Sequence, residues 1–261
     1  MLPQGDPHFR LELKKEQVSI VYISHRMEEI FEIADTVTVM RDGKYIDTKR
    51  VGEIDKNTLI HMMVGRELSN IFPKVPVEIK EPVLEVKHFN SRRFFDISFH
   101  VRKGEILGFY GLVGAGRSEV FKSIFGMDPY ESGEIIVDGK TLEIKNPHQA
   151  IEAGIAMGTE DRKEYGLVLC RSIRENIALP NLDRFAGKLF LDGRKEEKEC
   201  KDIAGKISVK MSSMNQLAGN LSGGNQQKVV LSKWLIQNPK ILVLDEPTRG
   251  IDVGAKAEIH S

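Results

Sequence analysis

The chain has 261 residues, with 38 Lys plus Arg against 38 Asp plus Glu, so its formal net charge is zero, and 41% of its residues are hydrophobic. That length allows one large domain or two smaller ones with buried cores, and the charge balance argues against a general nucleic-acid-binding surface. No apolar run approaches the ~18–20 residues needed to span a bilayer, the opening MLPQGDPHF lacks the basic and apolar regions of a secretory signal, and Cys170 and Cys200, with no CxxC or nearby His, read as free thiols in a reducing compartment.

In chain order, residues 11–17 read as the polar end of a helix and Val18 to Ile23 as a short buried strand, followed by Ser24-His25. Met27, Ile30, Phe31 and Ala34 have helical spacing. Thr36 to Met40 is β-branched, Arg41-Asp42-Gly43-Lys44 carries an Asp-Gly hairpin turn, and Tyr45-Ile46 returns as a strand. Residues 55–64 predict a helix with Leu59, Ile60, Met63 and Val64 on its apolar side. A Pro-containing, alternately charged stretch, Phe72 to Pro82, then reads as a linker.

Beyond the linker, Val83 to Val86 and Ile97 to Val101 alternate as strands of an antiparallel sheet, and Arg102-Lys103-Gly104-Glu105 turns into a predicted strand, Ile106 to Tyr110. That strand leads into Gly111-Leu112-Val113-Gly114-Ala115-Gly116-Arg117-Ser118 and a helix over Glu119 to Phe125, the strand, glycine loop and helix order that a phosphate loop requires. Residues 132–139 predict a hairpin strand, and Ile155 to Thr159 a short strand ending in Glu160-Asp161-Arg162-Lys163. Residues 172–207 read as mainly helical.

Next, Ser222 is placed to cap a helix opened by Gly223-Gly224, so that free amides and the positive end of the helix face an anion. Val229 to Ile236 supplies that helix's apolar face, and Asn238-Pro239 stops it. Ile241 to Leu244 is an unbroken aliphatic run, the pattern of a parallel strand covered on both faces. Asp245 and Glu246 emerge at its carboxyl end, where open α/β sheets put their chemistry. The chain closes in a predicted helix at Ser261, an ending in mid-element from which a continuation is expected.

Residues 111–118 match G-x-x-x-x-G-K-[ST] except at the lysine, which is Arg117. Amides from Gly114 to Ser118 can cradle phosphates, and the Ser118 hydroxyl can ligate Mg²⁺. Arginine keeps the charge but is a planar fork where the pattern has a compact ammonium. Asp245 would hold Mg²⁺ through water and Glu246 would polarise an attacking water, because phosphoryl transfer depends on positioning and charge neutralisation.

With LSGGNQQK, GLVGAGRS, TEDRK and LDEPTRGIDVGAK in view, the chain resembles the second cassette of the two-cassette ABC ATPases of bacterial monosaccharide importers (ribose, galactose, arabinose, xylose type). YISHRMEEIFEIADTVTVMRDGK and MMVGREL resemble the closing segment of the first cassette. The resemblance implies an α/β, P-loop NTPase-type (ABC cassette) fold with an antiparallel β subdomain and a helical signature subdomain. It places a first-cassette remnant at 1–72, a linker at 73–82 and a second cassette at 83–261 that stops before its last strand and switch position.

The same resemblance implies ATP and Mg²⁺ as ligands. Gly111, Gly114, Ala115, Gly116, Arg117 and Ser118 would bind nucleotide. Ser222, Gly223, Gly224, Asn225 and Gln226 would press on the γ-phosphate of an ATP held by another cassette. Ser118, Asp245 and Glu160 would form the metal set, with Glu246 catalytic and His25 the first cassette's switch histidine. His25 alternatively reads as an ordinary strand-end histidine. Implied partners are membrane permease subunits, an extracytoplasmic sugar-binding protein acting indirectly, and the other cassette half or a second copy, at the cytoplasmic face of the membrane.

The sequence departs from the family pattern at Arg117 and at Glu160, which stands where other cassettes carry glutamine; both read as habitual in this group. The first cassette's phosphate loop, signature and carboxylates are absent, so neither composite ATP site is complete here. Phe94 or Phe95 could stack the adenine, or both could be core. Two other readings are a soluble cassette ATPase acting on ribosomes or DNA, disfavoured by the neutral charge, and a nonfunctional remnant.

Overall fold

The computed structural model describes residues 16–24, 27–41, 43–64, 76–112, 114–187, 190–251 and 253–260. The chain divides into two compact units, residues 1–71 and 72–261.

In the first unit, helix α1 (Met27–Ile33) precedes an antiparallel hairpin of β1 (Thr36–Arg41) and β2 (Lys44–Arg50), with a register shift at Val39/Met40, and helix α2 (Lys56–Val64). α2 packs on β1, and Val39, Leu59 and Ile60 are buried. The second hairpin strand runs well past Tyr45-Ile46. The expected buried strand at Val18 to Ile23 is not formed. Among the described residues no strand pairs with this run, and Val21 and Ile23 are 90% and 93% exposed.

The second unit opens with β3 (Pro82–Ser91) and β4 (Phe94–Arg102), longer than the predicted strands, which join β5 (Ser132–Val137) and β6 (Lys140–Leu142) in an antiparallel sheet of order β4-β3-β5-β6. Alternation along β3 buries Leu84 and Val86, and a register shift between Val86 and Phe89 brings Phe89 into the same core, where it lies against Phe94 and Tyr130 at ring separations of 5.3 and 4.7 Å. Between β4 and β5 lies helix α3 (Arg117–Ile124), which buries Val120, Ser123 and Ile124.

After α4 (Pro147–Glu152), capped by Asn146 with Pro147 in its first turn, comes β7 (Ile155–Gly158), all four residues buried. A one-turn π-helix, Arg162–Gly166, follows. The expected helical stretch is broken into α5 (Ile173–Ala178), α6 (Leu182–Phe185) and α7 (Gly193–Lys206). The pieces have local determinants: α5 starts at a reciprocal capping box between Ser172 and Glu175, a 3-10 turn with Pro180 separates it from α6, and α7 starts at Asp192, whose carboxylate accepts the Arg194 and Lys195 amides.

Helix α8 (Gly223–Leu235) then runs through the centre, burying residues nearly all round. Asn238 takes a left-handed backbone (φ 52°) beyond its end. β8 (Ile241–Leu244) pairs with β7 in parallel, Ile155 opposite Ile241 through Gly158 opposite Leu244. Helix α9 (Val253–His260) follows.

Two expectations fail in this sheet. Ile106 to Tyr110 is not a strand: among the described residues no strand pairs with it, and Ile106 and Tyr110 are each 98% exposed. Alternate residues do find cover, since Phe109 packs edge-on against Phe99 and Phe121 at 4.9 and 4.8 Å. The side chains thus seat one face of the run, but no neighbouring backbone completes a ladder. β8 likewise is sealed on one face only, with Ile241 and Val243 buried and Leu244 40% exposed. Among the described residues no helix is long and apolar enough to cross a membrane.

Candidate functional site

The glycine loop leads into α3 through two left-handed turns, Gly114 at φ 83° and Gly116 at φ 85°. Gly116 occupies the N-cap position and has no side chain to satisfy the first amides of α3, so they remain available to a ligand. A Cβ on Gly116 would meet the Arg93 carbonyl oxygen at 3.2 Å, which seats the loop against the β3–β4 turn. Gly111 and Ala115 face each other closely across the loop, and Arg117 and Ser118 are half-buried in the first turn of α3. Val113 lies outside the described residues, as does His25.

That seating bears on the two candidate aromatics. Phe94 is core at 5% exposure, whereas the adjacent Phe95 is 73% exposed, so only Phe95 presents a ring to a ligand.

Across from the loop, the carboxyl ends of β7 and β8 lie side by side. The Asp245 amide donates to the Gly158 carbonyl, and Asp245 Oδ2 is buried with no hydrogen-bond partner. On the neighbouring strand end, Thr159 Oγ1 is also buried and unpartnered. Glu246 follows in a left-handed conformation (φ 41°), held by the Arg249 amide donating to its carbonyl. Its carboxylate lies 3.6 Å from Arg117 Nη2, so the guanidinium that replaces the usual lysine joins the glycine loop to the acidic strand end.

An orphaned carboxylate oxygen, beside a loop that carries a serine hydroxyl, is a hard-oxygen donor set that fits a divalent cation such as Mg²⁺. Among the described residues no group of three or more His, Cys, Asp and Glu could hold a metal unaided. Such an ion would therefore take its remaining ligands from water or from bound phosphate.

At the head of α8, Ser222 Oγ accepts the Asn225 amide at 3.5 Å and Asn225 Nδ2 at 3.0 Å, while Asn225 Oδ1 accepts the Lys210 amide. Ser222 is exposed, Gly223 and Asn225 are half-buried, and Gly224 and Gln226 are buried. Both glycines are dictated by close approach. A Cβ on Gly224 would come within 2.5 Å of the Ala255 Cβ, and one on Gly223 within 2.8 Å of an Arg162 nitrogen.

Glu160 is paired with the Arg249 guanidinium rather than standing alone at the end of β7. Its neighbour Asp161 caps the π-turn, and the Lys163 and Glu164 amides that it accepts hold its carboxyl below the usual carboxylate range. Sequence reasoning missed Arg162 and Lys233. Arg162 reaches Gln226 and the carbonyls of Arg249 and Gly250, and Lys233 donates to the Gly166 carbonyl at 2.9 Å. Burial pulls Lys233 down to about 8. Nothing in their local spacing marks either residue, because every partner is distant in the chain. Cys170 and Cys200 are both free thiols; Cys200 is buried, which, with Glu196 nearby, pushes it up to about 12.

Comparison with known proteins agrees with this architecture. The ABC transporter family model matches residues 94–249. The chain is 52% identical over 249 residues to the ribose import ATP-binding protein RbsA of Bacillus licheniformis, covering 95% of this chain and 50% of that protein. It is 50% identical over 250 residues to RbsA of Bacillus subtilis, again 95% of this chain and 50% of the relative. A putative ribose/galactose/methyl galactoside import ATP-binding protein of Halalkalibacterium halodurans is 50% identical, over 95% of this chain and 48% of its own length.

The chain thus spans about half the length of the curated relatives it matches. Among solved structures, a nucleotide-free ATP-binding cassette from an ABC transporter superposes with a TM-score of 0.60 at 20% identity, covering 69% of this chain and 74% of that one. cbiO1 from Clostridium perfringens, part of the ABC transporter complex cbiONQ, gives 0.56 at 21% identity, covering 69% and 71%. At that identity the likeness speaks for the fold. With the family model spanning well over half of the sequence and its cassette architecture present in the second unit, the chain belongs to the ABC transporter family.

Proposed function

We propose that this chain is an ATP-binding portion of a carbohydrate importer, in which ATP binding and hydrolysis drive monosaccharide uptake. It would work at the cytoplasmic face of a membrane, against permease subunits fed by an extracytoplasmic sugar-binding protein. The observation that carries the reading is the facing of two half-sites. The open amides at the start of α3 lie across from the carboxylates ending β8, bridged by Arg117 and Glu246.

Gly111, Gly114, Ala115, Gly116 and Ser118 cradle the phosphates of ATP, with the α3 amides and dipole favouring the anion. Phe95 stacks the base. Ser118 and Asp245 would hold Mg²⁺, whose charge would offset that of the phosphates. Glu246 polarises the attacking water, and Glu160 would belong to the metal set. Ser222, Gly223, Gly224, Asn225 and Gln226 serve an ATP bound in another cassette, where His25 acts as the switch histidine. That cassette comes from another part of the whole protein or from a second copy.

Arg117 sets the expected activity of the chain alone. Its guanidinium lies within ion-pair distance of the carboxylate that must accept a proton from water. Isolated, the chain therefore binds MgATP weakly and turns it over negligibly. Isothermal titration with MgATP tests this. Weak binding abolished by Ser118→Ala together with Gly116→Asp supports the reading. Undiminished binding in that variant, or turnover that Glu246→Gln removes, overturns it.

A further inference from the structure

The segment after β7, the head of α8 and the turn after β8 are far apart in sequence, yet one side chain touches all three. Arg162 Nη1 donates to the Arg249 carbonyl at 2.9 Å and Nη2 to the Gly250 carbonyl at 3.3 Å. Its Nε donates to Gln226 Oε1 at 3.3 Å, and Gln226 in turn donates to the Ala218 carbonyl. The guanidinium lies so close to Gly223 that a β-carbon there would meet it at 2.8 Å. The turn that receives these bonds carries the Arg249 side chain paired with Glu160, two residues before Arg162. At the other end of the π-turn, Lys233 of α8 holds the Gly166 carbonyl.

We propose that Arg162 is a positioning residue that locks the Glu160 segment, the Ser222–Gln226 turn and the Thr248–Ile251 turn into one unit. A displacement of the carboxylate-bearing strand end is thereby passed to the signature turn. This extends the nucleotide-site reading, since the signature turn would serve a different ATP from the one held by residues 111–118. Arg162 would thus couple the two.

The chemistry selects arginine. Three N–H groups in one plane serve two carbonyls and an amide oxygen at once, and charge-assisted donors are the strong ones. A lysine ammonium at the same position would reach one carbonyl at a time. The pinning also accounts for Gly223, whose side-chain-free backbone leaves room for the guanidinium.

Hydrogen–deuterium exchange on the whole 261-residue chain, without nucleotide, tests the lock. In Arg162→Ala the amides of Arg249 and Gln226, which are bonded in the intact protein, should exchange about tenfold faster, the effect of losing charged hydrogen bonds. Arg162→Lys should recover part of that protection. Exchange across β3, β4 and β5 should be unchanged in both variants.

Unaltered exchange at Arg249 and Gln226 would overturn the proposal. So would a uniform rise throughout the second unit, or equal behaviour of the Lys and Ala variants, because each would make Arg162 an ordinary packing residue. Titration of the same samples with MgATP separates the two readings. Failure to bind would sink the nucleotide site and leave the lock standing, whereas binding with unaltered exchange would sink the lock alone.

Discussion

Ile241 to Leu244 and Ile106 to Tyr110 carry the same signal, a short apolar run leading into a candidate phosphate-site motif, yet only the first is a strand. β8 lies beside β7 and exchanges a parallel ladder with it, and α8 packs on β7, with Val230 close to both Gly158 and Gly166. The second run rests Phe109 on two aromatic rings but has no hydrogen-bonded neighbour among the described residues. Val18 to Ile23 likewise joins no strand ladder among the described residues. Apolar character brings a segment to a surface, but a strand also requires another backbone at hydrogen-bonding distance.

The contrast is sharpest in stability. Ile241→Ala removes a buried core side chain and should cost about 2–4 kcal/mol in urea unfolding. Ile106→Ala should fall within about 0.5 kcal/mol. In native limited proteolysis, chymotrypsin should cut after Tyr110 while leaving 241–244 intact. Equal costs, or equal protection, would mean that Ile106 to Tyr110 has found a partner strand in solution.

At the end of that run, Gly116→Ala forces a β-carbon onto a left-handed residue beside the Arg93 carbonyl. It should cost about 1–2 kcal/mol by thermal or urea unfolding. Gly43→Ala, with a similar φ and nothing within 4 Å, should cost only the backbone part. Equal costs for the two variants would weaken the seating of the loop on the β3–β4 turn.

The smallest effect concerns the cover over β7 and β8. Lys233 on α8 has a folded pKa lowered to about 8 from 10.5, so between those values the unfolded chain binds the proton more fully. Stability should therefore rise, by of order 1 kcal/mol, as pH increases from 8 to 10.5. Below pH 8 this contribution should level off. Lys233→Met should flatten the profile across that window, and an identical slope in both proteins would remove Lys233 from the account.

Much of the cassette could be read from local pattern. The β3–β4 and β5–β6 hairpins, the Ser222 cap, the glycine loop and the acidic strand end all have their determinants within a few residues. The breaks among α5, α6 and α7 were harder to see, because alternating charged and apolar residues there suit one long helix as well as three short ones. Phe94 and Phe95 were indistinguishable until β4 acquired a face. The Glu160–Arg249 and Arg117–Glu246 pairs and the reach of Arg162 left no local trace.

The sequence by itself determined the glycine loop, the acidic strand end and the family, because glycine conformations, capping and strand-end carboxylates are encoded where they act. Only the tertiary structure decided which apolar runs became strands, which phenylalanine remained exposed and which charges met. Those outcomes depend on pairing and close approach between segments far apart in the chain, and no window of sequence contains both partners.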